Sequence, residues 1–334
     1  MDKQRLKQVL IGDFTWKRVF KSLIIIYLFF AGYVYFRADG MIFLPQLSSY
    51  QDTEEILKLK SGEETKISAL HLVNTNAKYT ILYAHGNAED LGDIKQFLER
   101  LRDFGFNVFA YDYRGYGTSV GTPTEKNAYH DIDAAYNYLI NNLKILPENI
   151  IVFGRSVGGG SAVDLAARQP VGGLILESTF TSAFQVIIPQ KILPFDKFNN
   201  LAKIKKVNCP VLIMHGKADE IIPFSHGQKL YAAAPLQKLS LWVEEATHND
   251  FFWVAGAKYG KILREFTDLV SRSQSSSLYW EKNYNSISRR VAESQTVFMS
   301  VNERSPTSLT SPTMLTAKST LAIAITHQQI VRDY

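Results

Sequence analysis

A single cysteine, Cys209, is present in 334 residues, so the chain has neither an internal disulfide nor a cysteine metal cluster, and its fold rests on burial. The folded body also lacks surplus positive charge. The net charge is +5, but residues 1–21 hold six Lys and Arg against two Asp, and residues 271–334 hold seven against four Asp and Glu. The 249 residues between them carry a net −2, so there is no electrostatic footprint for nucleic acid where chemistry would sit. A phosphate-cradling Walker loop is missing as well, because Gly158-Gly159-Gly160 is not followed by Lys and Ser or Thr.

Among what is present, 46% hydrophobic and 21% charged residues suit one large α/β domain with appendages. One long charge-free run, Ser22–Phe36, directly follows the basic segment 1–21. Roughly 20 apolar residues cross a bilayer core, and Val19 and Phe20 extend the run if the Lys21 ammonium reaches back to the interface. An uncleaved anchor is the first reading. A cleaved signal peptide and a buried or monotopic helix are the alternatives, the former weakened by the lack of a small-x-small site and by the aromatic end of the run. The Lys and Arg bias puts the N-terminus in the cytoplasm and the body on the other side. The expected organisation is a basic segment 1–21, an anchor 22–36, a connector 37–52, a catalytic-type domain 53–270 and a Ser/Thr-rich disordered tail 271–334.

Within 53–270, alternating strands are expected at 56–60 and 66–73, then strands at 79–84, 107–111, 149–153, 172–176, 211–214 and 239–243. Helical patterns at about 93–104, 125–143 and 157–168 lie between them. This order specifies a mostly parallel sheet covered on both faces, with a site at the carboxyl ends of its strands.

One such strand end carries Gly154-Arg155-Ser156-Val157-Gly158, between the β-branched run Asn149–Phe153 and a small-residue helix pattern. A serine on that sharp turn exposes its hydroxyl at the sheet edge and leaves the next N–H for an oxyanion. A helix-capping serine is the plain alternative. Gly117-Thr118-Ser119-Val120-Gly121 fits the same pattern but follows a turn-rich stretch, and Pro123 opposes a helix there, so Ser119 is expected to be a decoy.

An activated serine needs a base, and the base needs a carboxylate. Of His215, His226, His248 and His327 downstream, His248 follows the last strand and is the expected base, with His226 a weaker candidate. Asp219, just past strand 211–214, is the expected acid; Glu177 and Glu220 remain alternatives. The oxyanion donors are expected to be the backbone N–H groups of Asn87, in the loop after the third strand, and of Val157.

With these residues assembled, the chain from Tyr79 to Leu269 resembles a serine hydrolase of the α/β-hydrolase superfamily. The stretches His85–Gly92, Tyr111–Gly117, Pro123–Asn127 and His248-Asn249-Asp250 resemble, more narrowly, the α/β-hydrolase domain-containing group that includes protein depalmitoylases and membrane-anchored single-pass relatives. The resemblance implies Ser156, Asp219 and His248 as the triad, and an eight-stranded sheet whose second strand is antiparallel. In place of a cysteine-rich, lipidated N-terminus this chain has a hydrophobic segment, and Thr247 stands where many relatives have glycine. A dehalogenase is excluded by serine at the nucleophile position.

The insertion Thr179–Asn208 is too short for a full lid domain. An acyl groove near the membrane is expected there, lined partly by Phe184, Ile187, Ile192 and Phe195, residues that would serve equally well as core. The expected activity is hydrolysis of acyl esters or thioesters through an acyl-enzyme without a cofactor, the partner being an acyl-chain small molecule or a lipidated substrate. A serine-aminopeptidase-like peptidase and a catalytically silent receptor or scaffold are the alternatives.

Overall fold

The computed structural model describes residues 15–62, 65–187 and 192–276. The chain divides into two compact units, Met1–Val270 and Ser271–Tyr334. Of the second, only residues 271–276 are described, and these are helical. The expected disordered tail, with His327, otherwise lies outside the described residues.

The first unit opens with helix α1 (Trp16–Ile42), long and apolar enough to cross a membrane and exposed over most of its length. It is followed by β1 (Ile56–Ser61), β2 (Thr65–Leu72), β3 (Thr80–Ala84), α2 (Leu91–Asp103), β4 (Asn107–Tyr111), α3 (Glu125–Asn141) and β5 (Ile150–Arg155). Then come α4 (Gly158–Arg168), β6 (Gly173–Glu177), α5 (Ala183–Ile187), α6 (Asn200–Lys203), β7 (Val211–Gly216), α7 (Ser225–Ala233), β8 (Lys238–Val243) and α8 (Phe251–Ala255), with residues 257–270 helical after it.

The strands form one eight-stranded sheet in the order β1-β2-β4-β3-β5-β6-β7-β8. Strand β2 runs antiparallel to β1 and β4, and the other pairings are parallel. Because side chains alternate along a strand, β3, β4 and β5 feed two cores. Leu82, Phe109 and Val152 point to one face, under α3, α4 and α7; Ile81, Tyr83, Val108, Ile151 and Phe153 point to the other, under α2 and helical residues 257–270. Burial on both faces explains why these strands read as continuous apolar runs. Local sequence sets the helix starts. Asp90 accepts N–H bonds from Gly92 and Asp93 while Asp93 accepts that of Asp90, a reciprocal cap, and Thr124 caps α3 through the Asn127 N–H.

Helix α1 runs past the expected end of the anchor at residue 36. Residues 37–42 continue α1 instead of opening a connector, because this end of the helix is built into the domain. Ala38 and Phe43 are buried, and the Asp39 carboxylate accepts the Glu125 N–H at 3.1 Å and pairs with Lys197 at 3.1 Å.

Candidate active site

The loops at the carboxyl ends of β3, β5, β7 and β8 supply the candidate residues. Ser156 follows β5 with φ +52°, a left-handed conformation that a non-glycine residue adopts only when its surroundings enforce it. Three bonds do so: the Ser156 N–H donates to Glu177 O at 2.9 Å, the Thr179 hydroxyl donates to Ser156 O at 2.6 Å, and the Gly159 N–H donates to the same oxygen at 3.1 Å. Glycine is required next to it, because a Cβ on Gly158 would collide with the Ala84 carbonyl, and one on Gly154 would lie 2.6 Å from the Gly158 oxygen. Strand, turn and helix pack this closely only without those atoms.

The Ser156 hydroxyl lies 3.1 Å from His248 Nε2, and His248 Nδ1 lies 2.9 and 3.1 Å from the two Asp219 oxygens. All three side chains are buried or nearly so. Asp219 also accepts the N–H groups of Ile221 at 3.0 Å and Ile222 at 2.7 Å, which fix one oxygen from its own loop. His215 Nε2 is 2.9 Å from Ile222 O and 3.3 Å from Asp219 Oδ2. A carbonyl only accepts, so that nitrogen carries a proton. Burial by itself would raise the Asp219 pKa; the hydrogen bonds from His215, His248 and the Ile222 N–H outweigh it and hold the carboxyl well below its ordinary value.

The competing candidates are occupied elsewhere. Ser119 is buried; its hydroxyl accepts the Ser68 N–H at 2.8 Å and donates to Asp112 O at 3.0 Å. Glu177 is bound by the Tyr259 hydroxyl at 2.6 Å, and burial raises its pKa. Among the described residues the Glu220 carboxylate reaches the His248 backbone N–H, at 3.4 Å, and His226 Nδ1 faces the Thr181 N–H and hydroxyl.

On the oxyanion side, neither the Asn87 nor the Val157 N–H donates to another protein group among the described residues. The Asn87 side chain, by contrast, is engaged at both ends: its amide donates to Ile42 O at 2.8 Å, and its oxygen accepts from Leu44 N–H at 2.9 Å and the Tyr116 hydroxyl at 2.6 Å. The end of α1 is thereby tied to the loop beside the nucleophile.

Of the four expected groove residues none is buried in the core, so the alternative reading as core residues does not hold. Ile187 and Ile192 are 77% and 55% exposed, while Phe184 and Phe195 are half-buried and meet edge to face at 5.9 Å. Phe195 also meets Tyr35 of α1 at 5.3 Å, and the Tyr27 hydroxyl donates to Ile192 O at 2.8 Å. Phe195 and Ile192 thus lie against α1.

The sequence pattern marks neither Arg155 nor Glu89, and it offers His215 only as a candidate base. Arg155 occupies a variable letter of the serine pentapeptide, yet its guanidinium donates to both Glu89 oxygens, at 2.9 and 3.0 Å, and to His248 O and Asn249 Oδ1, each at 3.1 Å. Burial would lower its pKa; the charges of Glu89 and Glu177 outweigh this and raise it.

A left-handed serine after the fifth strand, a histidine after the eighth and an aspartate after the seventh, on this sheet order, define an α/β-hydrolase. The comparisons agree. The family described as serine aminopeptidase, S33, matches residues 75–203. Human α/β-hydrolase domain-containing protein 17B is 42% identical over 229 residues, covering 67% of this chain and 78% of the relative; mouse protein 17C is 40% identical over 219 residues, covering 64% and 68%. The chain belongs to this family of α/β-hydrolase domain-containing proteins and is a hydrolase. A Pyrococcus furiosus esterase shares the fold at a TM-score of 0.57 and 20% identity, covering 67% of this chain and 98% of its own.

Proposed function

We propose that this protein is a membrane-anchored serine hydrolase that cleaves carboxylic ester or thioester bonds of acyl substrates. The observation that carries the reading is the unbroken line from Asp219 through His248 to Ser156, with hydrogen-bond separations of 2.9 and 3.1 Å. His248 Nε2 takes the Ser156 proton as the hydroxyl oxygen attacks the acyl carbon, and Asp219 stabilises the imidazolium that forms. The Asn87 and Val157 N–H groups receive the charge on the carbonyl oxygen. His248 then returns the proton to the departing alcohol or thiol, leaving an acyl-Ser156 ester. Water, deprotonated by His248, attacks that ester and releases the acid, and the proton passes back to Ser156. No cofactor enters these steps.

The apolar length of α1 supports the anchor, and the Lys and Arg bias of residues 1–21 supports a cytoplasmic N-terminus with the domain on the other side. Its contacts with Ile192 and Phe195 support an acyl groove beside the lipid. The substrate class is accordingly an acyl-chain small molecule or a lipidated substrate. The family description favours a second reading, a serine aminopeptidase. Initial rates on ester and thioester substrates of increasing acyl length, beside an aminoacyl amide with a free amine, separate the two. Rising kcat/KM with chain length supports the groove; equal rates on short and long chains remove it, and preference for the amide transfers the chain to the peptidase reading.

A further inference from the structure

The guanidinium of Arg155 contacts the loops on both sides of the nucleophile. Nη1 holds Glu89, whose Oε1 also accepts the Gly86 N–H at 2.6 Å and so sets the backbone one residue before Asn87. Nη2 holds the His248 carbonyl and the Asn249 side chain, both in the loop that carries the base. Nε lies 3.6 Å from Glu177, whose backbone oxygen accepts the Ser156 N–H and whose carboxylate is held by Tyr259. Gly86 makes room for the arrangement: a Cβ there would sit 2.7 Å from Glu89 Oε1 and 3.0 Å from Arg155 Nη1.

We infer that Arg155 is a positioning residue that keeps the Asn87 loop and the His248 loop in register with Ser156. It touches none of the reacting atoms. Stability alone is a poor reason for this cluster, since a buried ion pair contributes little against an apolar replacement. The value of an arginine here is geometric, because a planar fork of donors can bind a carboxylate on one side and a carbonyl on the other. A lysine ammonium carries the same charge but reaches one of the two loops at a time. This role rests on the acyl-transfer reading of the site.

The test measures kcat, KM and melting temperature for Arg155→Met, Arg155→Lys and Asn249→Ala on one acyl ester, beside Arg114→Met as a control. Arg114 pairs with buried Asp131 at 2.9 Å and bonds to no site residue. The expected result is a fall in kcat of about 10- to 100-fold for Arg155→Met with KM within about twofold, since misplacement by an ångström costs on that order. Arg155→Lys should recover only part of the loss, and Asn249→Ala should lose a few-fold with an unchanged melting temperature. Arg114→Met should lower the melting temperature while kcat per folded molecule holds. Wild-type kcat in Arg155→Lys, or a loss in Arg155→Met that matches Arg114→Met at equal destabilisation, overturns the inference. Should Arg155→Met fail to fold, the lysine and Asn249 variants decide. A wild type without Ser156-dependent turnover overturns the acyl-transfer reading instead.

Discussion

Two turns in this chain are spelled Gly-x-Ser-x-Gly, and they do opposite things with the serine. At 117–121 the turn has left-handed glycines at both ends, φ +50° and +108°, and a serine whose hydroxyl is spent inside the fold on the Ser68 N–H and the Asp112 carbonyl. At 154–158 the strain falls on the serine itself, φ +52°, and its hydroxyl is turned toward His248. The pattern is the same and only the second letter, Thr118 or Arg155, changes; what differs structurally is that one turn joins a strand to a helix at the carboxyl edge of the sheet. A serine held by two backbone partners is a structural tie, whereas a serine whose backbone is held and whose hydroxyl faces an imidazole is poised for chemistry.

The largest expected effect that sharpens this contrast is on the acid. Asp219→Asn should lower kcat on the order of 10²- to 10⁴-fold at neutral pH while the fold persists, because an amide no longer stabilises the imidazolium or selects its tautomer. Steady-state rates beside circular dichroism check this. Gly158→Ala breaks the turn from within: its methyl meets the Ala84 carbonyl, so a loss of about 1–3 kcal/mol or more in denaturant unfolding is expected, with activity lost in step. Ser119→Ala tests the other turn. It leaves the buried Ser68 N–H without its partner, which costs about 1–3 kcal/mol of stability, and kcat should stay within about twofold of wild type.

The smallest effect concerns a histidine that stays out of the chemistry. Burial, the nearby Lys229 charge and His215 push the His226 pKa down from 6.5 to about 4, and Nδ1 faces the Thr181 N–H. The unfolded chain therefore binds the proton more readily, so the stability tied to neutral His226 is present above about pH 6.5 and is lost as pH falls toward 4. Melting temperatures from pH 7 to 4.5 should fall less steeply in His226→Asn, whose Oδ1 can accept the Thr181 N–H.

The same contrast shows what a sequence displays. Strand β5 and helix α4 announce the Ser156 turn through a β-branched run and a small-residue pattern, and Asp219 and His248 sit where short strands end. The mostly parallel sheet follows from the order of strand and helix patterns, and its antiparallel second strand only from the family resemblance. The ties are another matter. Arg155 meets Asn249 across 94 positions and Asn87 meets Ile42 across 45, and no periodicity marks a polar bond between distant loops. The extension of α1 to Ile42 is hidden for the same reason, since the apolar run stops at Phe36 and nothing local shows that Asp39 pairs with Lys197 and accepts the Glu125 N–H.

The most direct measurement is covalent labelling of the detergent-solubilised protein with a fluorophosphonate, which captures activated serines, in wild type, Ser156→Ala and Ser119→Ala. Labelling of wild type and Ser119→Ala, and none of Ser156→Ala, is the predicted result. Labelling that survives Ser156→Ala, or folded wild type that takes up no probe, would contradict it.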